Sequence, residues 1–238
     1  MDDSLLAVDK PSGLPMHRGW ARAPQYLDRL LADQLHRDVF LVHRLDQGTS
    51  GVVLLALSPD AANAMHQLFN QRCVHKRYLA LVRGEPPACG LVDYAIPRAP
   101  GKERVSAQTA FRTLATVETQ PRAMALVEAA PTTGRLHQVR RHLKHLRHPV
   151  VNDANHGDNR FNRAVQAFHG LTRLALHAAA IRFEHPITGV PVTVSAPLPD
   201  DLAGPLRHMG FDATLWSEPQ RLLDDPWPDS LAAQVTGV

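Results

Sequence analysis

Apolar residues recur along this chain in two rhythms. In PQYLDRLLADQLHRD, Leu27, Leu30, Leu31 and Leu35 fall three or four apart, the spacing that brings side chains onto one face of an α-helix. SPDAANAMHQLFNQR predicts a second helix: Ser58 is placed to cap its N-terminus, Pro59 suits the first helical position, and Ala61, Met65, Leu68 and Phe69 can face a core. A third is expected from about Leu136 to Arg147, with Val139, Leu143 and Leu146 turned inward. The remaining apolar stretches are short and read as strands. SLLAVDKPSG predicts one that stops at the turn from Pro11 to Gly13, and Val39 to Val42 and Val52 to Leu57 predict two more. VHKRYLALVRG, SAQTAFRTLATVE, RAMALVEAAP, LALHAAAIRFEHP and VPVTVSAP carry the rest. Several strands follow one another with no helix between them, which predicts an α+β fold on a mixed, mostly antiparallel sheet rather than a doubly wound one. The last stretch, SEPQRLLDDPWPDSLAAQVTGV, is rich in Pro and Asp, so residues 217–238 are expected to pack weakly or to be disordered.

With 238 residues, 44% of them hydrophobic and 21% charged, the chain can bury one sizeable core, expected as a two-lobed domain over residues 1–216. No apolar run approaches the roughly 18 residues that a membrane helix needs, and MDDSLLAVDK lacks the basic and apolar regions of a secretion signal. A cytoplasmic monomer with no membrane partner is therefore expected. Cys73 and Cys89 lie in unlike contexts without CxxC spacing, and both are read as structural. The net charge is only +3, but it is unevenly placed. Thr132 to Pro149 holds Arg135, Arg140, Arg141, Lys144 and Arg147 and no acid, whereas the chain from Pro199 onward is mainly acidic. Charge focused in this way suits a surface that follows phosphates, although a solvated helix face would look the same in isolation. His137, His142, His145, His148 and His156 lie nearby, yet their spacing matches no common zinc template such as HExxH, so no metal is expected.

The segment LVHRLDQGTSGVVLLAL places an acid, Asp46, between two apolar strands. An Asp before Gln-Gly can simply make a turn. A loop held between buried strands also positions active-site groups, and Arg44 lies two residues away. Thr49, Ser50 and Gly51 supply hydroxyls and a permissive backbone to fix such a loop. HRLD is not the HRD of a kinase catalytic loop, and the downstream Asn, the DFG and the glycine-rich loop of kinases are missing.

HRLDQGTSG resembles the HRLDxxTSG signature of the RluA-type pseudouridine synthases, which isomerise uridine to pseudouridine in tRNA or ribosomal RNA. LLAVDKPSGLPMH, HKRYLALVRG, TGRLHQVRRHLKHLRHPVVND and RLALHA resemble four further elements of that family, in the same order, from about Leu5 to Pro197. LKHLRHPVVNDANHGDNRFNR is most similar to the TruC subgroup, which modifies uridine 65 of tRNA. The resemblance implies a pseudouridine synthase fold with a central catalytic cleft, no cofactor, and RNA as partner, tRNA before ribosomal RNA. The sequence begins almost on the first expected strand, so no S4-like RNA-binding domain is expected, a departure from the family pattern. It places Asp46 on the essential aspartate, Tyr78 on the tyrosine that stacks on the uracil, and Arg135 on the basic residue that pairs with the aspartate. Arg44 falls where an arginine enters the RNA helix as the target flips out, and Leu176 where an aliphatic side chain packs in the pocket. His43 and Thr49 flank this site, while Arg140, Arg141, Lys144 and Arg147 are expected to meet phosphates. A non-catalytic RNA-binding protein on the same scaffold is the competing reading. It gives no reason to keep a carboxylate in a groove that binds phosphate.

Overall fold

The computed structural model describes residues 2–19, 23–99 and 101–236. In chain order its elements are β1 (Leu5–Lys10), α1 (Leu27–Leu35), β2 (Phe40–Leu41), β3 (Ser50–Ala56), α2 (Pro59–Asn70), β4 (His75–Arg83) and β5 (Cys89–Asp93). They continue as β6 (Ile96–Pro97), β7 (Arg104–Val105), β8 (Gln108–Val117), β9 (Met124–Pro131), α3 (Gln138–His145), α4 (Asn159–His169), β10 (Leu176–Glu184) and β11 (Pro191–Ser195). The chain closes with α5 (Asp200–Met209), α6 (Thr214–Ser217), α7 (Arg221–Asp224) and α8 (Asp229–Thr236).

The strand-like stretches pair into one mixed sheet in the order β1-β3-β10-β4-β9-β8-β5, with β2 added to β3 and β11 to β10, while β6 and β7 form a separate hairpin. Every pairing is antiparallel except that of β3 with β10. β3 and β9 are buried along their whole length, which explains why they read as continuous apolar runs rather than alternating ones. α1 and α2 form where the three-and-four spacing places them, and Ser58 caps α2 by accepting the Ala61 N–H.

Of the helices that escaped the sequence reading, α4 and α5 are the longest. α4 is capped by Asp158, whose side chain accepts the N–H groups of Arg160 and Phe161, and it ends at Gly170 in the left-handed region. α5 carries Asp200 and Asp201 in its first turn, where acids complement the helix dipole, and buries Leu202, Ala203, Leu206 and Met209. The C-terminal stretch, expected to pack weakly, is instead docked. Leu222, Leu223, Trp227 and Leu231 are all buried. The guanidinium groups of Arg77 and Arg112 lie 5.7 and 5.1 Å from the Trp227 ring, and Arg112 Nη1 donates to Pro226 O at 3.1 Å. Both arginines also pair with Glu128, which is fully buried; burial pushes its carboxyl up to about 7 against the pull of the two cations. Composition marked the segment as disordered, but its few large apolar residues are spaced to reach the sheet.

Candidate active site

β2 ends at Leu41 and β3 begins at Ser50, and the loop between them is fastened at many points. The turn closes with Thr49 N–H donating to Asp46 O at 3.0 Å. The turn after β1 braces it from outside: Gly13 N–H donates to Gln47 O, Gln47 Nε2 to Gly13 O, and Ser12 Oγ to Gly48 O, all within 3.0 Å. Lys10 is wholly buried, and its ammonium donates to the carbonyls of Pro11, Leu14 and Gln47. Burial and the Arg173 charge pull Lys10 down to about 8, while Asp46 acts in the other direction. Gly51 has φ +108°, and a Cβ there would lie 2.2 Å from Ala178 O on the parallel neighbour β10. His43, expected to help hold substrate, lines the cavity that Asp46 faces and also ties the loop to β3. Its Nε2 accepts the Leu54 N–H at 2.9 Å, and burial, with the Lys76 charge, lowers its pKa to about 3, so the ring is neutral.

Asp46 emerges from this braced loop with its side chain 22% exposed. The partner implied for it, Arg135, points elsewhere: Arg135 is exposed and its Nε donates to Ser106 O at 3.1 Å. Arg140 takes that place. Its Nη1 donates to Asp46 Oδ2 at 2.8 Å, while Nε and Nη2 fork onto the two oxygens of Asp153 at 2.7 Å each. Arg140 was expected to face phosphate, but it is 6% exposed and committed to two carboxylates. Burial opposes its charge, and the hydrogen bonds to Asp153 and Asp46 outweigh burial and hold its pKa above the ordinary value. Burial likewise acts to raise Asp153, but Arg140 and the N–H groups of His156 and Asn155 bring it below the usual carboxylate range.

The circuit closes through histidines. His156 Nε2 lies 3.0 Å from His137 Nδ1, and His137 Nε2 lies 3.9 Å from Asp46 Oδ1. His137 sits at φ 55°, a conformation that non-glycine residues adopt at a cost of about 1–3 kcal/mol. That left-handed turn begins α3 two residues after Arg135 and sends Arg135 and Arg140 in different directions. The other histidines of the segment disperse: His142 bonds to Thr109 Oγ1 and Tyr94 O, and His148 to Arg83 O.

Asp46 opens into a cavity of about 590 Å³. Tyr78 and Leu176 line it from the neighbouring strands β4 and β10. Burial and the Asp46 charge push the Tyr78 phenol well above its ordinary pKa, so it keeps its proton near neutrality. Thr49 Oγ1 also lines the cavity, buried and without a hydrogen-bond partner among the described residues. Arg44, exposed, stands in the wall beside Asp46. Arg72, Lys76, Arg98 and Arg135 join Arg44 and Arg140 there, and Asp46 is the single carboxylate among the lining residues described. Of the outer basic residues, Arg141 donates to Pro97 O and is partly buried, whereas Lys144 and Arg147 are exposed. Lys76, which the sequence reading passed over, could have been found by the two-residue period of β4, which puts it on the same face as Tyr78.

The model of the RNA pseudouridylate synthase family matches residues 4–145, more than half of the chain. The chain belongs to the RNA pseudouridylate synthase family. Relatives named tRNA pseudouridine synthase C share its sequence along most of its length. That of Vibrio cholerae is 37% identical over 233 residues, covering 90% of this chain and 96% of its own. That of Pectobacterium carotovorum is also 37% identical, over 234 residues; there this chain covers 62% of a longer relative. Among solved structures, human RNA pseudouridylate synthase domain containing 4 superposes with a TM-score of 0.70 at 29% identity, covering 88% of this chain and 91% of the human one. A member of this family thus carries Asp46 in the cavity wall, with Arg140 as its partner and Tyr78 beside it. Among the described residues, no helix is long and apolar enough to cross a membrane.

Proposed function

We propose that this synthase isomerises a uridine of tRNA, of the uridine 65 type, to pseudouridine, acting as a cytoplasmic monomer without cofactor or metal. The observation that carries the reading is the pairing of Asp46 with Arg140 in a cavity whose other charged lining residues, among those described, are all cations. A binding protein for phosphate gains nothing from a carboxylate there. Isomerisation needs one. The bond from uracil N1 to the ribose must break, the ring must turn, and C5 must bond to the same carbon and lose its proton. A carboxylate can attack the sugar, add to the ring or remove a ribose proton, and in each route it must be ionised; the Arg140 guanidinium favours that form.

The remaining residues take roles that follow from position. Tyr78 offers a protonated phenol beside Asp46 and a ring for the uracil to stack against, which suits a hydrogen-bond donor better than the base that removes the C5 proton. Leu176, 3% exposed, supplies an apolar wall. A uridine in a stem must leave its stack to reach Asp46, at a cost of a few kcal/mol, and the exposed Arg44 is placed to fill the gap it leaves. Lys144 and Arg147, exposed beyond the cavity, suit the backbone of an RNA recognised mainly by shape. The test is release of tritium from C5-labelled uridine in tRNA and ribosomal RNA transcripts. Release from tRNA supports the proposal, release from ribosomal RNA alone moves the substrate, and RNA binding without release favours the non-catalytic reading.

A further inference from the structure

Among the described residues, Lys76 is a cation without an anion. It lies on β4 two residues before Tyr78, about 7 Å along the same face of the strand, and lines the same cavity. Its Nζ donates to Thr133 O at 3.2 Å and stands 6.0 Å from the centre of the Phe69 ring. No carboxylate pairs with it among the described residues, and burial alone draws it down to about 8. An ammonium held partly out of water at a cavity wall, with one carbonyl and one aromatic face for company, is costly to keep. Replacing it with an apolar residue should make the fold more stable, so a ligand rather than the fold is the reason for the charge. Arg72 and Arg44, both exposed, line the same cavity, and among the described residues the wall carries no acid besides Asp46, which Arg140 already occupies.

We propose that Lys76 binds a phosphate adjoining the target nucleotide, with Arg72 as a second ligand at the rim. This rests on the reading that the cavity receives a flipped uridine. The spacing then has a purpose: with the base against Tyr78, the separation of Lys76 along the strand is about the reach from a base to the phosphate of its own nucleotide. One phosphate on the cavity side, 5′ or 3′ of the target, would be drawn inward with the flipped base and pair with an ammonium that is already partly dehydrated. The charge would therefore report that the nucleotide has left its stem, which neither Lys144 nor Arg147 can do from outside.

The test combines Lys76→Met and Lys76→Arg with RNA carrying a single neutral methylphosphonate linkage, 5′ or 3′ of the target. Affinity is measured across salt concentrations, and turnover by tritium release. Lys76→Met is expected to weaken binding about ten-fold and lower the log-log salt slope by about 0.7–0.9, with the larger part of the loss in Kd rather than kcat and with an unchanged or higher melting temperature. Lys76→Arg should recover much of the affinity. In the wild type one of the two neutral linkages should cost a similar factor, and the position that does identifies the phosphate; in Lys76→Met that linkage should cost nothing further. Equal penalties in wild type and variant at both positions, or an unchanged salt slope, would overturn the proposal. Because the neutral linkage is also tested on the unaltered protein, a misfolded variant does not block the result. Absence of tritium release from any RNA by the wild type would count against the functional reading instead, and binding would still decide the role of Lys76.

Discussion

Replacing Arg140 with Met removes three charge-assisted hydrogen bonds, two to Asp153 and one to Asp46. The consequences for the two carboxylates differ. Asp46 remains partly exposed and can be rehydrated, whereas Asp153 has a side chain 0% exposed and keeps only the N–H groups of Asn155 and His156. Breaking a buried ion pair by removing one partner costs about 3–5 kcal/mol, because the charge left behind is uncompensated. Arg140→Met should therefore lose about that much in urea denaturation. The double variant Arg140→Met, Asp153→Asn removes the stranded charge and should recover half or more of the loss. Neither protein should turn over RNA at an appreciable rate, since Asp46 lacks its guanidinium in both. Arg140→Lys keeps a charge but not the fork, and should fall between. Arg135→Ala, by contrast, leaves the Asp46 pair intact and should act mainly on RNA affinity. A loss below about 1 kcal/mol in Arg140→Met, or a double variant less stable than the single one, would refute the assignment of Arg140 as the strut between the two acids.

Acid should destabilise the protein well above the range of ordinary carboxylates. His43, His156 and His177 are held at about 3, 4 and 4, below their unfolded value of 6.5, so the stability they contribute is complete above pH 6.5 and is lost as pH falls through that window. Glu128, raised to about 7, works in the opposite sense, so these four groups leave a net difference of three minus one, roughly two protons, or roughly 2–3 kcal/mol per pH unit between pH 6 and 5; flat stability from pH 7 to 5 would contradict this. Gly51→Ala should cost at least about 2–3 kcal/mol, from positive φ and the clash with Ala178 O, and a near-neutral effect in denaturation would show that β3 and β10 do not approach as closely as described. Trp227→Ala should cost about 3–5 kcal/mol through the lost ring and the two arginines stacked near it, and a loss under 1 kcal/mol would mean that the C-terminal stretch is not docked in solution.

The sequence showed the loop of Asp46 well because that loop is a local object. Two apolar strands, a turn and a permissive glycine can be read within seventeen residues, and the structure adds only the brace from the turn after β1. Tyr78 and Leu176 lie on strands whose apolar runs are plain, so their meeting in one wall follows from pairing β4 with β10. Which arginine meets Asp46 was not legible. Arg135 and Arg140 lie five residues apart in one basic stretch, and the choice turns on the left-handed backbone of His137, which no side-chain pattern announces. His43 illustrates another limit: a polar residue beside a catalytic loop reads as a ligand of substrate, and only the structure shows that its Nε2 also accepts the Leu54 N–H. The C-terminal stretch failed for a third reason, since composition averages over a segment while docking depends on a few residues such as Leu222 and Trp227.

The central claim is that Asp46 performs chemistry on uridine rather than merely lining a site that binds RNA. The most direct test is tritium release from C5-labelled tRNA, with the wild type, Asp46→Asn and Asp46→Ala assayed side by side and RNA affinity measured on the same preparations. Release by the wild type, abolished in both variants while binding persists, is the predicted result. Measurable product from either variant would contradict it.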